Sequence, residues 1–152
     1  SAAFRRPEVI AEMVEQFGPE RVTVAVDVDA NPAMPSGYEV YVDGGRTSTG
    51  ADAVEWAKQV DGYGVGCILP TSKAGDGAKT GYDLPLIRGI AGAVSAPVVA
   101  SGGAGTLEHF VEAVEAGATI LLAASVFHFG MLMIPDVKRH LAEHGVELTR
   151  PV

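Results

Sequence analysis

Asp27 closes the apolar run Val24-Ala25-Val26. A carboxyl group set between a buried strand and a cleft is placed to act as a general acid or base. The same residue could instead cap the loop that follows it. Asp76-Gly77, within Ala74-Gly75-Asp76-Gly77-Ala78, offers a second acid–base group or a hydrogen bond to a sugar hydroxyl; Asp-Gly is equally a turn dipeptide. Thr71 and Ser101 carry hydroxyls that could orient a substrate or bond to nearby backbone. The signal for phosphate binding is stronger. Ala100-Ser101-Gly102-Gly103-Ala104-Gly105 follows the apolar run Ala96-Pro97-Val98-Val99, and Ala123-Ala124-Ser125-Val126-Phe127-His128 follows Ile120-Leu121-Leu122. Two adjacent strand ends with small residues and bare amides make an anion pocket, because glycine lets backbone approach and helix N-termini add partial positive charge. Gly77, Gly102, Gly103, Ala104, Ala124 and Ser125 are the candidate contacts for a phosphate or phosphosugar.

Other chemistries are poorly supported. His140-Leu141-Ala142-Glu143-His144 matches a short zinc-peptidase pattern. It lies on the last expected helix, away from the strand ends, and the sequence marks no third ligand. His109 and His128 have no second His or Cys at ligand spacing and read as surface or satisfied histidines. There is no Ser-His-Asp logic and no phosphate loop ending in Gly-Lys-Ser/Thr. The expectation is therefore no metal and no cofactor.

The elements that must position these residues follow from periodicity. The spacing predicts helices over 7–17, 52–60, 107–116 and 134–144, and one that Asp83 caps. Buried strands are expected over 21–27, 66–70, 96–100 and 119–123. A loop is expected over 29–36, and a short helical turn over 124–128. Tyr38-Glu39-Val40-Tyr41-Val42 alternates and meets Asp43-Gly44-Gly45, so it reads as a small excursion outside the main sheet. Trp56 reads as packing. Alternation of strand and helix implies a parallel sheet, and near-continuous apolar strands imply burial on both faces. Ligands of such sheets meet the carboxyl ends of the strands, which is where the candidates fall.

The 152 residues suffice for a single domain over 1–152 with a real core. A net charge of −8 argues against nucleic-acid or acidic-membrane partners, while local amides can still hold a small phosphate. The single Cys67 excludes an internal disulfide and points to a reducing, cytoplasmic setting. No apolar run approaches membrane-spanning length, and no signal-peptide pattern is seen.

Val24-Ala25-Val26-Asp27, Gly81-Tyr82-Asp83, Ala100-Ser101-Gly102-Gly103-Ala104-Gly105 and Ala123-Ala124-Ser125-Val126-Phe127-His128-Phe129 closely resemble the C-terminal half of the cyclase subunit of imidazole glycerol phosphate synthase. Ser1-Ala2-Ala3, Gly117-Ala118 and His144-Gly145-Val146 extend the likeness over nearly the whole chain. That family is a (β/α)8 barrel of two similar halves. It takes ammonia from a glutaminase partner and closes an imidazole ring on a substrate with a phosphate at each end. The resemblance implies that Asp27 is one of two catalytic aspartates. It makes Thr71, Asp76, Gly77 and Ser101 substrate contacts and Gly103, Ala104, Ala124 and Ser125 one phosphate site. Ser1 stands where the other phosphate site would have a residue. The chain departs from the family pattern at Ala74 (usually Asp), Ala78 (Thr), Asp29 (Lys or Arg) and Thr119 (Asp). At Cys67 the family has a Glu of the charged ring where ammonia enters.

The expected architecture is α/β: a (βα)4 half of a TIM (β/α)8 barrel with parallel strands, completed by homodimerisation. An open flavodoxin-like sheet is the competing idea. Two open edges and an uncovered apolar face recruit partners, and a twofold dimer would place two Asp27 carboxylates at one mouth. The expected function is phosphate or phosphosugar binding, with residual ammonia-dependent cyclase (lyase) activity as a dimer. The alternative is a non-catalytic phosphate-binding or structural half-barrel.

Overall fold

A computed structural model of the chain describes residues 1–73 and 79–149. The chain opens with α1 (Ala2–Arg5) and α2 (Glu8–Phe17), then β1 (Thr23–Ala30), β2 (Tyr38–Val42) and β3 (Thr47–Asp52). There follow α3 (Ala53–Asp61), β4 (Cys67–Ser72), α4 (Leu84–Ala91), β5 (Val99–Ala100), α5 (Leu107–Glu115), β6 (Ile120–Leu121), α6 (Ser125–His128) and α7 (Ile134–Glu143). The strands β1, β4, β5 and β6 run parallel in that spatial order. Between β4 and β5 the join is narrow: bridges at Ile68–Val98 and Thr71–Ser101, and the Ile68 amide donating to the Pro97 carbonyl at 3.0 Å. Among the described residues β1 and β6 do not pair, so the sheet is open, an α/β half-barrel.

Alternation along β1 explains the two faces. Val24, Val26 and Val28 are buried against α2 and α3 in a core with Ile10, Trp56, Val60 and Ile68. Trp56 packs edge-on to Phe4, with ring centroids 4.9 Å apart. Thr23, Ala25, Asp27 and Asp29 alternate with those valines and so occupy the inner face. A second core under β5 and β6 gathers Ile87, Phe110, Ala113, Val126 and Leu141. The expectation of burial on both faces is corrected here: Ile120 and Leu122 are 43% and 41% exposed, because the sheet is open and no described element covers that part of its inner face.

The hairpin is the main departure. The segment expected outside the sheet pairs antiparallel with the end of β1, Asp27 opposite Tyr41 and Ala30 opposite Tyr38. That pairing holds Val28, Asp29 and Ala30 extended, so β1 runs past its expected end at Asp27. β3, which the sequence does not announce, completes the hairpin. Its polar residues are held by the buried Glu39, which accepts from the Ser48 hydroxyl, from Asn31 at 2.7 Å and from the Gly50 amide at 2.7 Å. These hydrogen bonds, that of Ser48 first, keep the Glu39 carboxyl below its ordinary range. β5 and β6 are shorter than expected. Proline at 97 has no amide to donate, and Gly102 and Gly103 turn away at φ of 85° and 101°.

Asp52 ends β3 and caps α3, accepting from the Val54 and Glu55 amides at 3.0 Å each, and also from the Ser36 amide at 2.7 Å. Burial pushes its pKa up, but these hydrogen bonds, Ser36 foremost, outweigh that and leave it below its ordinary 3.8. Asp52→Ala should cost about 1–2 kcal/mol, read as a lower urea midpoint at unchanged slope. A depressed folded pKa means the charge contribution is present above about pH 3.8 and is lost as pH falls through the folded value. Asp52→Asn, which keeps a cap acceptor, should therefore flatten the loss of stability below about pH 4.

Candidate functional site

The parallel register sets the inner face in rows. Asp27 lies opposite Thr71, and Thr71 opposite Ser101. Ala100 pairs with Leu121, which continues the row to Leu122. All three polar members are half-buried at the carboxyl ends of their strands. Towards the mouth, Asp29 pairs with Lys73 at 3.3 Å, and the Lys73 ammonium also lies 3.9 Å from the centre of the Tyr41 ring. At the opposite, N-terminal floor, the Thr23 hydroxyl meets the Cys67 thiol at 3.0 Å. The mouth is thus charged, and this pair on the floor is neutral.

A cavity of ≈130 Å³ sits where the ends of β5 and β6 meet, lined by residues 101–104, residues 122–125 and Lys79. It brings together Ser101, Gly102, Gly103, Ala104, Ala124 and Ser125. Asp27 and Thr71 are on the same face but not in this cavity. Asp76 and Gly77 lie outside the described residues. His109 Nδ1 accepts from the Gly105 and Thr106 amides at 3.0 and 3.3 Å, which closes off the start of α5. As an acceptor that nitrogen carries no proton, so His109 is satisfied as an N-terminal cap. The first amides of α6 have no intrahelical acceptor, and Ser125 lines the cavity. Ser1 is occupied elsewhere: its hydroxyl accepts from the Asp43 amide at 2.7 Å.

Gly81-Tyr82-Asp83 ties this region together. The Gly81 amide donates to the Gly103 carbonyl at 2.8 Å. The Tyr82 hydroxyl donates to the Leu122 carbonyl at 3.0 Å, and burial pushes its pKa upwards. Asp83 caps α4 through the Leu86 amide at 3.2 Å and accepts from the Tyr38 hydroxyl at 2.6 Å. Burial first, and then Asp83, raise the Tyr38 pKa. Three consecutive residues therefore fasten the two segments that line the cavity and the start of β2.

The family model for histidine biosynthesis proteins matches residues 1–133. The chain belongs to the histidine biosynthesis family. It is 54% identical over 147 residues to imidazole glycerol phosphate synthase subunit HisF of Nocardia farcinica, a match covering 94% of this chain and 57% of the relative. The Pyrobaculum aerophilum subunit of the same name is 52% identical over 148 residues, covering 97% of this chain and 57% of the relative. The Thermobifida fusca one is 50% identical over 148 residues, covering 95% and 58%. The chain thus spans little more than half the length of these curated relatives, a half-length HisF-like unit. Among its described residues no helix is long and apolar enough to cross a membrane.

For this HisF-like chain, sequence reasoning missed Lys79, the cation on the cavity wall. Its backbone is left-handed at φ 57°, and its ammonium lies 3.2 Å from the Met131 sulfur. Gly105 was the available signal. A Cβ there would stand 2.4 Å from the Lys79 carbonyl oxygen, so only glycine lets the Lys79 backbone close over the loop. Gly105→Ala should lower stability by about 1–3 kcal/mol, seen as a depressed Tm. Gly89→Ala is the matched control: its Cβ would meet only Val54 Cγ2, at 3.5 Å inside α4, and should be neutral or stabilising by up to about 1 kcal/mol.

Proposed function

We propose that residues 1–152 act as one HisF-like domain that binds phosphate or phosphosugar ligands in the cavity between residues 101–104 and 122–125. The cavity carries this reading: small residues and backbone amides from two adjacent strand ends, with Lys79 on the wall, in a chain of the histidine biosynthesis family. Close backbone approach and a nearby cation favour an anion despite the net charge of −8. Inorganic phosphate titrated into the chain should bind at this site, followed through the amide resonances of Gly102, Gly103 and Ser125. Ala124→Asp places a like charge at the exposed rim, at a position that needs no left-handed backbone, φ −118°. It should weaken binding at least about tenfold, the effect of a few kcal/mol of repulsion at short range. Unchanged binding in a variant with native circular dichroism would remove this site.

The chemistry we assign to a closed homodimer is an ammonia-dependent cyclase, a lyase reaction. Ala25, Leu69, Val99 and Ile120 form an apolar row on the inner face, and β1 pairs with β2 only from Asp27 onwards, leaving its earlier edge open. A second copy would cover that face, join β1 to the partner's β6, and set two Asp27 carboxylates across one mouth. Asp27 would move the proton. Thr71 and Ser101 in its row would orient the substrate, and Asp76 would supply a second carboxylate. No cofactor is needed for this step. The reading places the protein in the cytoplasm and away from nucleic acid and membranes. A glutaminase partner would dock at the N-terminal floor.

One observation favours the quieter alternative, a phosphate-binding or structural half-barrel without turnover. The Thr23–Cys67 pair at 3.0 Å puts neutral groups where the resemblance implies a charged floor residue. The two readings separate in one experiment on the purified chain. Light scattering should give twice the 15.7 kDa chain mass, and the dimer should consume the ribonucleotide substrate with free ammonia. Ile120→Asp should yield monomers without turnover, and Asp27→Asn should leave the dimer intact but lower turnover at least about a hundredfold. A monomer without turnover would leave binding as the function, and activity that survives Asp27→Asn would remove Asp27 from the mechanism.

A further inference from the structure

His140 lies in the last turn of α7, His144 caps its C-terminus four residues on, and Glu108, in the first turn of α5, reaches across to them. Glu108 Oε2 lies 3.4 Å from His140 Nε2, and the two imidazole ring centres are 4.3 Å apart. One donor atom from each of the three residues falls within 4.8 Å of the others. Donors bound at about 2.0–2.1 Å around one tetrahedral ion sit about 3.4 Å apart. The Glu108–His140 pair already has that span. Glu108 and His144 are exposed and His140 is partly buried.

A second feature prepares the trio. His144 Nδ1 lies 2.8 Å from the His140 carbonyl, an oxygen that can only accept, so Nδ1 carries the proton and Nε2 keeps its lone pair. This is the hydrogen bond that fixes ring and tautomer in metal-binding histidines. The sequence showed the two histidines at i and i+4 but no third ligand, and the fold supplies it from a residue 32 positions away.

The geometry points to a divalent transition-metal site formed by Glu108, His140 and His144, independent of the phosphate cavity. Two imidazoles and a carboxylate suit zinc, cobalt or nickel rather than magnesium or calcium. Three protein ligands leave a fourth position for water. The ion would clamp α5 to α7. This is a binding site, and no hydrolytic role is assigned to it.

The untagged full-length chain should take up one Co2+ with the strong visible absorption of a four-coordinate ion. Zn2+ should displace it and raise Tm. His140→Ala, His144→Ala and Glu108→Gln should each weaken binding at least about tenfold, the smaller loss that changing even an outer partner of such ligands causes. They should also abolish the Zn2+-dependent rise in Tm. His128→Ala and Cys67→Ser should leave both readouts unchanged. Failure of the parent chain to bind one equivalent would overturn the proposal. So would uptake that persists in the double variant His140→Ala/His144→Ala or that disappears with His128 or Cys67.

Discussion

Everything at the site depends on the register of four parallel strands. Thr71 lies between Asp27 and Ser101, and that single row decides which side chains face inward. Strand side chains alternate with period two. A slip of one residue in β1 would turn Val26 and Val28 out of the core and Asp27 into it. The core therefore enforces the chemistry. Val24, Val26 and Val28 must meet α2 and α3, so Asp27 and Asp29 must not. The link between β4 and β5 is the narrowest part of this arrangement, and there the sheet rests on the bridges Ile68–Val98 and Thr71–Ser101.

Backbone contacts then place the cavity within that frame. Gly81 holds the Gly103 carbonyl and Tyr82 holds the Leu122 carbonyl, and these two residues belong to the two segments that line the cavity. A motif that looks functional in the sequence is here a fastening device. Gly105 belongs to the same device, since its missing Cβ makes room for the Lys79 carbonyl. Tyr38 extends the fastening to the hairpin through Asp83, so the antiparallel addition on β1 is tied to the start of α4.

What was legible in the sequence was what periodicity and local chemistry encode. The apolar runs marked β1, β4, β5 and β6, the Asp83 cap marked α4, and the periodicity over 52–60 marked α3. The clustering of Ser101, Gly102, Gly103, Ala104, Ala124 and Ser125 followed from their places just beyond strand ends. What was not legible depended on pairing at a distance. Thr47-Ser48-Thr49-Gly50-Ala51-Asp52 has no strand pattern, and it is extended because β2 and the buried Glu39 hold it. Lys79 joins the cavity only because Gly105 permits it. Glu108 meets His140 only because α5 packs on α7.

The two halves of the proposed function make different demands on the chain. Both segments lining the cavity, and Lys79 with them, come from one copy, so the proposed binding would need no partner. Asp27 is different. It sits on β1, separated from the cavity strands by β4, on the inner face of a sheet that stays open among the described residues. An open face leaves a carboxylate in water, where its proton transfers gain little from the surroundings; closure would lower the local dielectric and bring a second carboxylate within reach. On the proposed reading, phosphate affinity would be a property of the folded chain, and cyclase chemistry a property of the closed barrel. A half-barrel could then keep the first without the second, because the cavity lies at the end of the sheet and Asp27 lies two strands away on β1.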